Sequence, residues 1–250
     1  FYHIILFLIF VHFIFRGLLY PGAPTDDAEQ MLFSQKLRWG YDIYNPPLYT
    51  WLVILVQKVI GINLSSVAIV KFFAYGLIFV FSYKTALKVV NDKALAFVAA
   101  LSPLWFYYVG WDAALSYSHT VLAASLIVIN LYVLLCLKDN DSVFLYLLFG
   151  IIIGLGILSK YTFVFFILSA LTASICSPLM RRHLNLSLLI MSVFVASVIV
   201  LPHGVWLMQN IDTVGPAISQ KFNISGASSF FAARLTGFKS ITISFIGFLS

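Results

Sequence analysis

The sequence predicts an all-α polytopic membrane protein: a bundle of transmembrane helices with interfacial helices in its first polar loop. Three observations carry this. Hydrophobic residues make up 62% of the 250 and charged residues 10%, where soluble domains average about 45–50% and about 25%. Mean hydropathy is +1.00, and the apolar residues come in successive runs of helical length. The 24 Phe, 13 Tyr and 5 Trp exclude a disordered chain, so the surplus apolar area faces lipid.

The runs follow in order. Phe1–Leu19 is almost wholly apolar and long enough to cross the hydrocarbon core at 1.5 Å per residue. A polar stretch with four of the nine acidic residues comes next, ending at Pro46-Pro47. The following run, Tyr49–Ile60, is short and interrupted by Gln57 and Lys58, a length more typical of interfacial than of spanning segments. Further runs cover roughly Val67–Tyr83, Ala94–Tyr108, His119–Leu137, Val143–Leu158, Thr162–Ser177 and Leu186–Leu201, and a last one begins near Ile241. Cys136 and Cys176 lie inside apolar runs and are expected as small buried hydrophobes. The chain starts at Phe1 and stops inside an apolar run, with no small-residue cleavage pattern after the first run. It is therefore expected to be one transmembrane domain over residues 1–250, incomplete at both ends, of a longer protein.

Charge placement gives the orientation. The formal net charge is +6, but the cations sit singly or in small clusters at the ends of apolar runs, which points to membrane orientation and not to nucleic-acid binding. Lys84, Lys88 and Lys93, then Lys138, then Arg181, Arg182 and His183 are separated by pairs of runs, so all three clusters return to one side, the cytoplasm. With Tyr49–Ile60 lying along the interface, residues 20–66 form an outer loop. That loop shares its compartment with Asp112, His119, Lys160 and His203. If Tyr49–Ile60 crossed, the acidic loop and Asp112 would lie on opposite faces.

Several outer residues carry chemistry. Pro24-Thr25-Asp26-Asp27 reads as a helix start with Thr25 or Asp26 as N-cap. Asp26 and Asp27 point to different helical faces, so one can act as a general base while the other takes a supporting role; the sequence leaves open which. Asp27 and Glu29 are the candidate ligands if the reaction uses a divalent metal. Tyr44-Asn45-Pro46-Pro47 forms a rigid turn leading to Tyr49 and Trp51, aromatics of the kind found at bilayer boundaries. Asp112 stands between two apolar runs, with His119 two helical turns on. Lys160 joins two apolar runs with no loop to bathe it, so it snorkels outward or meets an anion. Gly150 and Gly154 have the small-x3-small spacing of a close helix contact. Lys71 and Arg234 are further cations on the outer side. No Gly-rich phosphate loop, zinc-type cysteine pair, GxSxG or HExxH string is present, which removes soluble ATPase, metalloprotease and serine-hydrolase readings. Outward carboxylates beside outward cations suit a reaction in which a lipid phosphate leaves and a carboxylate takes the proton of the attacking hydroxyl. A secondary transporter is the alternative, since it too places charge in an apolar interior; it would show an inverted repeat.

The ordered strings Asp26-Asp27-Ala28-Glu29, Pro46-Pro47-Leu48-Tyr49-Thr50-Trp51-Leu52, Leu101-Ser102-Pro103 with Asp112 and Ser118-His119-Thr120, Gly154 to Lys160, and Leu201-Pro202-His203 resemble the integral-membrane glycosyltransferases of the GT-C superfamily. The resemblance is to the branch of protein O-mannosyltransferases, lipid A aminoarabinose transferase and lipopolysaccharide galacturonosyltransferases. It implies an inverting hexosyl- or pentosyltransferase that uses a polyprenyl-phosphate-linked sugar, with a lipid, lipopolysaccharide or protein hydroxyl as acceptor. It also implies a bacterial inner membrane protein whose active site faces the periplasm. Asp26 would stand in the place of the catalytic carboxylate, Asp112 as the second outer acid, and Lys160 on a lysine of the family pattern. His119, Tyr44, Asn45, Tyr49, Lys71, Arg234 and His203 would contribute to donor and substrate binding. The aminoarabinose transferases carry an acidic-basic pair before the two prolines where this chain has Tyr44 and Asn45, which favours the broader sugar-transferase branch.

Overall fold

The computed structural model describes residues 1–19, 22–113 and 116–210. The chain divides into two compact units, residues 1–206 and 207–250, and only residues 207–210 of the second, at the end of the last helix, are described. Among the described residues ten α-helices run in order: α1 Tyr2–Leu19, α2 Thr25–Phe33, α3 Leu48–Ile60, α4 Leu64–Val90, α5 Lys93–Leu101, α6 Ser118–Asp139, α7 Val143–Ser159, α8 Phe163–Cys176, α9 Pro178–Arg181 and α10 Leu186–Gln209. Among the same residues there is no strand. By length and composition α4, α6 and α10 can each cross a membrane, and α7 and α8 are shorter apolar helices. Phe7, Phe10, Phe73, Phe144, Phe165 and Phe194 are exposed on the bundle surface, as a lipid-facing exterior requires.

The helix ends follow local chemistry. Pro47 precedes α3, and Gly61 ends it with φ of 83°, a backbone state glycine tolerates best. Asn63 caps α4 by accepting from Ser66 N, and Asp92 caps α5 by accepting from Ala94 N and Leu95 N. The α2 start differs from expectation. Pro24 is the cap residue and its side chain has no acceptor to offer, while Asp26 lies in the first turn and accepts from Ser118 N.

The run expected over Ala94–Tyr108 is broken. After α5 the chain makes a 3-10 turn at Ser102–Trp105 and a π turn at Tyr108–Asp112. Pro103 has no N–H for the helical ladder, and Ser102 Oγ bonds back to the Ala99 carbonyl. Conversely, α10 runs through Pro202 to Gln209, past the expected end at Leu201. Cys136 is half-buried and Cys176 exposed, because Cys176 lies on the last turn of α8, facing outward.

α4 and α6 lie side by side and parallel at the centre, with α7, α5, α1 and α3 packed around them. The Lys88–Asp139 ion pair joins the C-terminal ends of α4 and α6, and the Tyr146 hydroxyl accepts from Asn185 N where α7 and α10 begin. At the opposite end, Tyr49 donates to the Val67 carbonyl, Lys160 to Thr120, and α2 meets the start of α6. The basic clusters Lys84–Lys88, Lys138 and Arg181–Arg182 thus share one end of the bundle. Helices α2 and α3 sit at the other. Gly150 and Gly154 let α7 approach α10: a Cβ at Gly154 would stand 2.9 Å from Ile199 Cβ.

Candidate active site

Helix α2 is polar for its length and owes its position to buried polar contacts. Asp27 is fully buried, and its Oδ1 accepts from Lys71 Nζ at 2.8 Å and from Ser118 Oγ at 3.2 Å. Lys71, expected from sequence as an outer-side cation contributing to donor binding, is itself 0% exposed and faces Asp27 across 44 residues of chain, so it is a counter-ion within the bundle. Asp26 is half-buried, and its Oδ2 accepts from Ser118 N at 3.2 Å. The two neighbouring carboxylates therefore take different surroundings, as their helical spacing requires, yet both anchor on Ser118 at the start of α6.

Gln30, Thr50 and Ser34, which the sequence did not single out, tie this corner together. Thr50 donates to Gln30 Oε1 at 2.7 Å, and Gln30 Nε2 lies 3.0 Å from His119 Nε2, with Thr50, Gln30 and His119 all buried. Gln30 Nε2 is a donor, so His119 accepts through Nε2. Ser34 receives Gln57 Nε2 at 2.9 Å. The amides Gln30 and Gln57 thereby fasten α2 to the inner face of α3; the interruption of an apolar run by Gln57 was the one signal in the sequence. Tyr49, expected at the bilayer boundary or on substrate, is fully buried, with its ring 5.4 Å from that of His119. It holds α3 against α4.

Asp112 ends the π turn, half-exposed. Tyr75 donates to the Val109 carbonyl at 2.6 Å, and His12 Nε2 lies 3.3 Å from the Gly110 carbonyl, which fixes the turn. The Asp112 charge raises the phenol of the exposed Tyr117 above its usual range, and Asp26 adds to the effect. Burial, then Asp42 and Asp26, likewise raises Glu29.

Lys160 occupies the break between α7 and α8 and donates to Thr120 at 2.6 Å. The adjacent Tyr161 shares a 2.9 Å hydrogen bond with His203 Nε2, and burial pushes its phenol up to about 12. His203 Nδ1 donates to the Trp39 carbonyl at 2.8 Å, and the ring stacks on Tyr161 and Trp206. Gly40 permits that approach, since a Cβ there would enter the Trp206 ring. His203 is 2% exposed and serves as a strut between α10 and the first loop. Tyr44 is exposed and Asn45 half-buried on the turn before α3, with Tyr44 N donating to Asp42 Oδ1 at 3.0 Å. Arg234 lies outside the described residues. Among the described residues no group of three or more His, Cys, Asp or Glu side chains could hold a metal ion, and Asp27, a candidate ligand, is engaged by Lys71.

The structure thus brings Asp26, Asp27, Lys71, Ser118 and His119 together, with Lys160 bonded one helical step away at Thr120. The chain is similar to two curated proteins of Rhizobium johnstonii, the lipopolysaccharide core galacturonosyltransferases RgtB and RgtA. It is 32% identical to each, over 91% and 80% of its own length. It spans 46% and 40% of their lengths. Its fold matches the crystal structure of ArnT from Cupriavidus metallidurans bound to undecaprenyl phosphate, with a TM-score of 0.65 at 15% identity, over 83% of this chain and 41% of that one. This is the expected GT-C-type membrane bundle. Residues 44–206 match the dolichyl-phosphate-mannose-protein mannosyltransferase family, and the chain belongs to it.

Proposed function

We propose that this chain carries part of the catalytic domain of an inverting glycosyltransferase. The enzyme moves a sugar from a polyprenyl-phosphate donor to a hydroxyl of a lipid-borne glycan of the lipopolysaccharide type, at the periplasmic face of the bacterial inner membrane. The observation that carries the reading is the division of labour between neighbouring carboxylates. Asp27 is buried against Lys71, while Asp26 remains half-exposed beside Ser118. Asp26 is the general base and Asp27 with Lys71 holds it in place. The clustering of α2, α3, Asp112 and Lys160 at the end opposite the basic clusters supports a periplasmic site.

The acceptor oxygen attacks the anomeric carbon as its proton passes to Asp26. The bond from that carbon to the phosphate oxygen breaks, and the polyprenyl phosphate departs with the electron pair. One displacement inverts the anomeric centre. Lys160 stabilises the departing phosphate through a charge-assisted contact, exchanging Thr120 for a phosphate oxygen. Asp112 supports the site as the second acid. The names of the relatives favour a uronic acid as the sugar and lipopolysaccharide core as the acceptor.

The test is transfer by the complete protein from a panel of polyprenyl-phosphate sugars, with the product's anomeric configuration read by NMR. Inversion with one preferred donor is expected. Lys160→Ala lowers transfer by about 10²–10³-fold if its charge meets the leaving phosphate. Unchanged turnover in that variant removes the lysine from the mechanism, and retained configuration removes the single displacement.

A further inference from the structure

The outer face of α3, opposite Thr50, Val53 and Gln57, carries a recess lined by none of the residues of the polar corner around Asp26 and Asp27. Trp51 folds the preceding loop onto this face: its indole Nε1 donates to the Arg38 carbonyl at 2.7 Å, and Trp39 meets Trp51 edge to face at 5.8 Å. The result is a cavity of about 440 Å³ walled by Leu37, Trp39, Trp51 and Leu55, with Arg38 and Lys58 also lining it. Leu37, Trp39 and Leu55 are each more than half exposed. Among the described residues neither Arg38 nor Lys58 makes an ion pair.

We propose that this recess binds an anionic phospholipid of the surrounding leaflet. Apolar walls of this size call for an apolar occupant, and two uncompensated cations beside them call for an anion joined to it. An anionic phospholipid supplies both: its chain lies along Leu37 and Leu55, and its phosphate meets the guanidinium and the ammonium. The paired indoles suit the same depth, since tryptophan prefers the boundary between headgroups and hydrocarbon. A neutral helix of a partner protein would cover the walls and leave both charges desolvated without a counter-charge, which costs free energy. The bound lipid braces residues 37–39, and through the Trp39 carbonyl it steadies His203 and Tyr161.

The test is native mass spectrometry of the complete protein released from mixed micelles holding equal phosphatidylglycerol and phosphatidylcholine. Phosphatidylglycerol should be retained in preference. In the Arg38→Gln/Lys58→Gln variant that preference should fall about fivefold or more. Leu55→Gln, at an exposed position, should weaken retention with both cations in place. Lys58→Gln alone serves if the double variant does not fold, and should lower the preference in the same direction. Equal retention of the two lipids by wild type, or an unchanged preference in the charge variants, would overturn the proposal.

Discussion

Removing the Lys71 ammonium while leaving Asp27 charged probes what holds α2 in place. Both side chains are 0% exposed and 2.8 Å apart, so each depends on the other for its charge to be tolerated away from water. Lys71→Ala strands a buried carboxylate and should cost about 3–5 kcal/mol of stability. Asp27→Asn with Lys71→Met removes both charges, keeps the approximate volumes, and leaves an amide oxygen at position 27 to accept from Ser118 Oγ. The double variant should therefore recover most of the loss, with an interaction of at least about 2 kcal/mol in the double-mutant cycle. Unfolding titrations in mild detergent micelles, followed by circular dichroism on wild type, Asp27→Asn, Lys71→Met and the double variant, supply the four corners. Additive losses would refute the view that the pair is a single buried unit, and a Lys71→Ala loss below about 1 kcal/mol would mean that water reaches Asp27.

Two further outcomes follow from the same corner. Gln30→Leu leaves the Thr50 hydroxyl and His119 Nε2 without their partner and should cost about 2–4 kcal/mol, against about 1–2 kcal/mol for Thr50→Val, measured by the same titrations. Glu29 is held above the usual carboxylate range, first by burial and then by Asp42 and Asp26, so the folded protein binds its proton more tightly than the unfolded chain does. Ionised Glu29 therefore subtracts from stability at neutral pH, and the penalty fades as pH falls through its folded value. Glu29→Gln should raise the thermal midpoint at about pH 7.5 and lose that advantage below about pH 4, as followed by thermal melts across pH.

The apolar runs were legible because each is set by local composition, and α3 was legible in its bounds because Pro46-Pro47 and Gly61 are local stop signals. The spacing of Gly150 and Gly154 likewise announced a close helix contact, which α10 fills. What lay hidden is pairing across the chain. Nothing in the apolar context of Lys71 tells that Asp27 sits opposite, and a lysine in a hydrophobic run reads as an anchor until the partner helix is in place. Gln30, Thr50 and His119 are separately ordinary polar residues and become a network only when α2, α3 and α6 meet. The same limit applied to Asp26: its acidic first-turn position suggested a cap, while the competing Ser118 N–H belongs to a helix starting 92 residues later. The break at residues 102–112 was signalled by Pro103 but masked by the apolar character of the residues around it.

Asp26→Asn tests most directly whether Asp26 takes the acceptor proton. The amide oxygen of that variant can still accept from Ser118 N, so fold and donor binding should persist while the base is lost. The measurement is donor binding and transfer on the same preparation of the complete protein, alongside Asp27→Asn. Donor binding within about twofold of wild type, with transfer lower by about 10²–10⁴-fold in Asp26→Asn, is the predicted result. Full transfer by Asp26→Asn would contradict the account, most sharply if Asp27→Asn remained folded and had lost transfer.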